Sequence, residues 1–297
     1  MDPQTAAALP YGRLADEVQA VLSDPAVRVP ERQVLSLPGG GSLFVMPASD
    51  ARVAMTKLIT FTPANAGTPR PSIQGDVLVF DVATGERTAL LDGPTVTARR
   101  TAAVSLLAAR RLAACPQGPM LIVGAGVQGR AHLEAFAQGL GVREFFMASR
   151  TLAGAQALAD QARALGCTAQ AVQDPAQVQA LCPLVVTCTP AHAVVLRGPL
   201  HPQVWLGAVG AFKPSMIELA PELTRQLARE GRVVVDTQEA AHEAGDLIQA
   251  GVDPAQWQTL AQVLAQESGS APGPVLFKSC GWAGWDLAAA RLATARP

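Results

Sequence analysis

Charge is scarce in this chain. Only 16% of its 297 residues are Asp, Glu, Lys or Arg, and the formal net charge is −1. With no basic block and no basic stripe interleaved with aromatics, nucleic-acid binding has no electrostatic footprint. No run of about 18 apolar residues occurs, so no segment reads as membrane-spanning. The opening MDPQTAAALPYGR lacks a basic region followed by an apolar one, so it does not read as a secretion signal. Five cysteines (Cys115, Cys167, Cys182, Cys188 and Cys280) are odd in number and form no C-x-x-C pair. They fit reduced, mostly buried thiols, and a cytoplasmic protein is expected. The four scattered histidines have no metal-ligand spacing, so no metal site is expected. What is present is an alanine-rich chain, 49% hydrophobic, long enough for one large or two modest domains.

The most informative stretch is PMLIVGAGVQGRAHLEAF, residues 119–136. A short apolar run is followed at once by Gly124, Gly126 and Gly129, and a helical pattern then opens. Strand, G-x-G-x-x-G, helix is the order that sets a pyrophosphate on a helix N-terminus. The first glycine permits the tight turn, the second lets backbone approach phosphate, and the third lets helix and strand pack closely. Such a pattern also arises as an ordinary glycine turn, but EFFMAS (144–149) follows at the right distance as a next strand. An NAD site carries Asp or Glu about 20 residues after the glycines to hold the ribose 2′-hydroxyl. Here Ser149, Arg150 and Thr151 stand there. Either Arg150 is a solvated loop residue, or a guanidinium flanked by two hydroxyls binds a 2′-phosphate. The second reading makes NADPH the preferred cofactor, with NADH accepted less well.

From about 120 to 236, apolar runs at 120–123, 144–149, 168–172, 184–189, 205–210 and 232–236 alternate with helical patterns such as 152–165 and 219–230. That alternation predicts an α/β fold with a doubly wound parallel sheet of Rossmann type. Before residue 100, LFVMPA, RVAMTKLITF and DVLVFDVATGERTALLD read as longer strands, with a hairpin loop around Thr84-Gly85. Residues 95–114 form a strong helical pattern, and GWAGWDLAAARLATA at the end is helical again. The expected division is an α+β substrate-binding and dimerisation domain at 1–100, completed by 278–297, around a Rossmann domain at 101–277. A hydride acceptor is expected where the two domains face each other, at the carboxyl ends of the strands.

Several motifs together resemble the ornithine cyclodeaminase/mu-crystallin family. They run in order from about residue 30: MPA at 46–48, Lys57 within its strand, GDVLVFDVATGE, TARRTAA, VGAGVQGRAHLEAF, SRT, TCTP, AVGAFKPSMIEL, VVVDT, EAGDL and LFKSCGWAGWDLAAARL. The resemblance implies a homodimer built through the N-terminal domain, an NAD(P)-binding Rossmann domain, and chemistry at a carbon bearing both nitrogen and carboxylate. It implies a cationic clamp for that carboxylate, matched here by Arg32, Lys57 and Arg100, with Lys57 and Arg100 as the catalytic pair.

Each cation has a plainer reading as well. Arg100 is expected in the first turn of a helix, between Thr97 and Thr101, where a basic residue opposes the dipole; either a bound anion explains it or it is solvated beside Arg99. Lys57 is the only cation of an alternating stretch; either a substrate carboxylate pairs with it or it guards a sheet edge. Arg32 is either a clamp member or part of a polar loop. The family resemblance also implies cofactor contacts at Val127 and Gln128, at Thr187, Cys188 and Thr189, and at Val209 and Gly210 beneath the nicotinamide. Cys188 has no assignable His base, so it reads as a small strand-end residue. Asp236 closes RVVVD, and the sequence assigns it no definite role beyond orienting a loop.

One departure separates activities. Cyclodeaminases carry V-G-x-D after the fifth strand; here AVGAFKP puts Phe212 at the Asp position. A phenyl group cannot serve as acid or base, but it can wall an apolar pocket against a flat ring. The GAFKP form resembles the subset that reduces Δ1-pyrroline-2-carboxylate and Δ1-piperideine-2-carboxylate to proline and pipecolate. Two alternatives stand beside that reading: ornithine cyclodeaminase or amino-acid dehydrogenase activity, and a non-catalytic NADPH-binding protein.

Overall fold

In VAMTKLITF, Met55, Lys57 and Ile59 are buried while Leu58 is 40% exposed. That alternation gives strand β3 (Val53–Phe61) one inward and one outward face. The computed structural model describes residues 1–65, 68–190, 192–266 and 273–295. It divides into two compact units, Met1–Arg100 with Trp282–Pro297, and Thr101–Gly281.

The first unit opens with helices α1 (Pro3–Ala8) and α2 (Tyr11–Ser23). Strands β1 (Gln33–Ser36), β2 (Ser42–Ser49), β3, β4 (Ile73–Asp81) and β5 (Arg87–Asp92) follow. They form an antiparallel sheet in chain order, so β3 is its central strand. The β4–β5 hairpin turns at Gly85 (φ +73°), where the Asp81 side chain accepts from Thr84 N at 2.9 Å. Helix α3 (Gly93–Leu112) carries the chain across the division after Arg100.

The remaining elements, in chain order, are β6 (Met120–Val123), α4 (Val127–Gly139), β7 (Glu144–Ala148), α5 (Leu152–Ala164), β8 (Thr168–Val172), β9 (Leu184–Thr187), β10 (His192–Leu196), β11 (Trp205–Ala208) and β12 (Ile217–Leu219). They continue with α6 (Pro221–Glu230), β13 (Arg232–Val235), α7 (Ala240–Glu243), α8 (Gly245–Ala250), β14 (Trp257–Thr259), α9 (Leu260–Leu264), β15 (Val275–Lys278) and α10 (Ala283–Thr294). The last belongs to the first unit, where it packs on α2, β2 and β3. Its residues 283–292 are all buried, so α10 is a core helix that is apolar nearly all round. Arg291 anchors it through ion pairs to Asp24 and Asp50 and a longer one to Glu17 at 3.5 Å.

The second unit is built on an eight-stranded sheet in the order β14-β13-β15-β11-β9-β6-β7-β8, with every pairing parallel. Strands β6, β9, β11 and β15 are buried at every residue, as a parallel sheet covered on both faces requires. Strand β6 lies inside the sheet: β7 and β8 extend to one side, and β9, β11, β15, β13 and β14 to the other. The reversal between β6 and β9 is the topological switch point where such folds bind ligands. Because β15 pairs with β11 and β13 inside this sheet, the chain leaves the second unit at Gly281 and not at Lys278. Among the described residues, no helix is long and apolar enough to cross a membrane, and no group of three His, Cys, Asp or Glu could hold a metal ion.

Candidate active site

At the end of β6 the chain turns on Gly124, whose φ of +122° disfavours any side chain. A Cβ on Gly129 would lie 2.0 Å from the Gly124 carbonyl oxygen, so the start of α4 can press on the turn only through a glycine. At Gly126 a Cβ would meet nothing within 4 Å. Gly126 is the N-cap of α4, with no side-chain cap and no acid in the first turn. The helix therefore begins with uncapped amides beside open space, which is how helix N-termini receive anions. Val127 is 58% exposed there, and Gln128 Oε1 is buried without a hydrogen-bond partner.

A cavity of about 600 Å³ opens over this turn, lined among others by Gly124, Gly126, Ser149, Arg150, Thr151 and Thr189. Arg150 is exposed and, among the described residues, makes no hydrogen bond or ion pair. Its neighbours are committed locally. The Ser149 hydroxyl donates to Thr151 O at 2.8 Å, and Thr151 Oγ1 caps α5 by accepting from Gly154 N at 3.2 Å. The glycine turn and the uncapped helix fit the pyrophosphate of a pyridine dinucleotide.

On the other side of the switch point, Cys188 Sγ donates to the Val123 and Gly124 carbonyls at 3.5 and 3.4 Å. Burial, helped by Glu218, pushes its thiol well above the usual range, so it is no nucleophile at neutral pH. Thr187, Thr189 and Gly210 all turn polar groups toward one buried carboxylate, Glu218. Val209 is buried and donates its N–H to Thr187 O at 2.9 Å. Phe212 is half-buried and packs against the apolar core of this unit. Asp236 anchors a loop. Its Oδ2 accepts from Ser279 Oγ, Cys280 N and Gly281 N at 2.8–2.9 Å, fixing the segment after β15.

In the first unit, Lys57 Nζ lies 2.8 Å from Asp286 Oδ2, and Arg100 Nε lies 3.3 Å from Asp286 Oδ1. All three are buried, Asp286 completely. Because β3 is central, Lys57 cannot be an edge guard. Burial lowers its pKa from 10.5 to about 8; Asp286 opposes the shift, and Arg100 and Arg32 add to it. Arg32 is half-exposed just before β1, close enough for its charge to act on Lys57. Arg100 is not in a first helical turn. The Asp92 side chain accepts from Thr95 N at 2.8 Å and helix α3 starts at Gly93, so Arg100 sits about two turns in. Its reason is Asp286, not the helix dipole. Asp286 and Glu218 both escape the motif reading, although each is a lone acid in an apolar run, WAGWDLAAARL and SMIELA. A buried charge demands a partner, and that demand is the signal that could have found them.

A parallel-sheet unit with a dinucleotide turn, joined in sequence to an α+β unit that buries two cations on one acid, defines a Rossmann-type class of chain. The model of the ornithine cyclodeaminase/mu-crystallin family matches residues 14–296, and this chain belongs to that family. It is 38% identical to Delta(1)-pyrroline-2-carboxylate reductase 1 of Burkholderia multivorans, over 97% of this chain and 92% of that one. It is 37% identical to the Delta(1)-pyrroline-2-carboxylate/Delta(1)-piperideine-2-carboxylate reductase of Azospirillum brasilense, again over 97% and 92%. Among solved structures, Thermococcus litoralis Delta(1)-pyrroline-2-carboxylate reductase in complex with NADH and L-proline has a TM-score of 0.87 at 24% identity. The match covers 97% of this chain and 94% of that one, and it is a likeness of fold.

Proposed function

We propose that this protein reduces cyclic imino acids, Δ1-pyrroline-2-carboxylate and Δ1-piperideine-2-carboxylate, to L-proline and L-pipecolate, with NADPH as its preferred hydride donor. The observation that carries this reading is the buried cluster of Lys57, Arg100 and Asp286. Two cations against one carboxylate leave positive charge uncompensated in a desolvated place, and a substrate carboxylate neutralises it. Arg32 adds a third cation at the rim. When bound, the reduced pyridine nucleotide supplies the hydride. The chain's own contribution is to hold the carboxylate and thereby orient the ring, a source of rate that needs no covalent chemistry. Phe212 offers an apolar wall and no acid–base group, which favours imine reduction over deamination of ornithine.

The decisive assay follows NADPH oxidation with the five- and six-membered cyclic imino acids, and ammonia release from ornithine with NAD. Turnover of the imino acids and no comparable ammonia release are expected. Ammonia at a comparable rate would overturn the reading, and NADPH binding with no imine reduction would leave a nucleotide-binding protein.

The cofactor preference has its own test. Arg150→Ala should weaken NADPH by roughly ten- to a hundredfold, the range of a charge-assisted hydrogen bond, and leave NADH almost untouched. An equal loss for both would remove Arg150 from the 2′-phosphate. The reading also includes a cytoplasmic homodimer. Free cysteines support the location. The outward sheet face supports the dimer, because Leu35, Leu58 and Leu90 are 60%, 40% and 55% exposed and Leu58 lies opposite Val45.

A further inference from the structure

We propose that Glu218 is a positioning residue that fixes the nicotinamide end of the cofactor site by clamping the ends of β9 and β11 together. The proposal rests on the nucleotide reading above and adds a residue to it. The backbone ladder between β9 and β11 runs as far as Val209 N donating to Thr187 O at 2.9 Å. Beyond it the strands leave their register, and the next amides, the partly buried Thr189 N and the buried Gly210 N, would be left without a partner. Glu218 takes both. Thr189 N donates to Oε1 and Gly210 N to Oε2, each at 2.7 Å. The Thr189 hydroxyl adds a bond to Oε1 at 2.8 Å, and the Thr187 hydroxyl one to Oε2 at 3.0 Å.

The fit is close enough to dictate the residue opposite. A Cβ at position 210 would lie 2.4 Å from Glu218 Oε1 and 2.0 Å from Thr189 O, so only glycine fits there. Glu218 is pinned from behind in turn. Its own N–H and that of Leu219 donate to Asp246 Oδ1 at 2.7 and 2.9 Å, and Asp246 Oδ2 accepts from the buried Lys278 Nζ at 2.9 Å. Lys278 thus supplies the charge that a buried pair of carboxylates needs. Burial raises the Glu218 pKa; Lys278 and the Thr189 amide oppose that. Thr189 lines the cavity over the glycine turn, so the clamp acts directly on its wall.

Two oxygens that each accept from a backbone amide make Gln a poor substitute, because its NH2 would face an N–H whichever way it turned. The test compares NADPH with 2′-phospho-ADP-ribose, which keeps every part except the nicotinamide. Wild-type protein is titrated first with NADPH and NADH, so a failure of nucleotide binding itself would refute the proposed function before Glu218 is changed. Glu218→Gln should bind 2′-phospho-ADP-ribose as the wild type does and NADPH roughly ten- to a hundredfold more weakly. Thr189→Val, which removes one donor and spares the amide, should show the same selectivity with a smaller loss. It decides the matter if Glu218→Gln does not fold. Parallel loss of both ligands would make Glu218 a general support of the unit and overturn the proposal, as would NADPH affinity unchanged in both variants.

Discussion

Lys57→Met should lose about 2–5 kcal/mol of transition-state binding, a fall in kcat/KM of roughly 30- to 5,000-fold, because it removes one desolvated partner of the carboxylate in the proposed site. NADPH affinity should hold, since the glycine turn and Arg150 belong to the other unit. The pH dependence sharpens the expectation. Lys57 is cationic below a pKa of about 8, so wild-type kcat/KM should be high below that pH and fall as pH rises through it. In Lys57→Arg the charge persists to much higher pH, so whatever activity remains should lack that limb. The stability linkage has a definite sign. The folded pKa lies below the ordinary 10.5, so the unfolded chain binds more protons between about 8 and 10.5. The cost of burying this cation is therefore complete below pH 8 and is relieved as pH rises toward 10.5. Near-normal turnover by Lys57→Met would make the lysine a structural strand residue and displace the carboxylate site.

The parts of the fold that were legible were those written locally. MLIV, LVVT and WLGA are continuous apolar runs because strands buried on both faces have no polar side, and the spacing of Gly124, Gly126 and Gly129 announces a turn before a helix. The alternation in VAMTKLITF likewise announces one inward face. Other elements have no such local signature. Strand β1 is exposed at every residue, so nothing in its pattern marks it as a strand. The short parallel pair of β10 and β12 joins segments on either side of another strand, β11. The two buried acids were hidden for the same reason. Asp286 lies in α10 and meets Lys57 from β3, and Glu218 meets amides at the ends of β9 and β11. Long-range pairing decides their roles, and spacing along the chain does not encode it.

Asp286 offers the test that separates stability from function. Asp286→Leu strips the counter-ion from two buried cations and should cost about 3–5 kcal/mol, the usual penalty for breaking a buried pair by removing one partner. That is a large share of a typical folding free energy. The protein has one escape. Asp286 is the group that raises the Lys57 pKa against burial, so without it the lysine should shed its proton well below pH 8. The kcat/KM limb should move to lower pH, and imino-acid binding at neutral pH should weaken. Adding Lys57→Met to Asp286→Leu removes the stranded lysine along with the acid, since an apolar pair of similar volume can replace a buried ion pair at little cost. The double variant still leaves the buried Arg100 without its counter-ion, so it should recover part, not all, of the stability lost by Asp286→Leu, as measured by denaturant unfolding, while its kcat/KM stays as low as that of Lys57→Met. Such non-additivity is the signature of two residues in direct contact. Additive stability losses, or an Asp286→Leu protein as stable and active as the wild type, would mean that Asp286 does not hold the clamp.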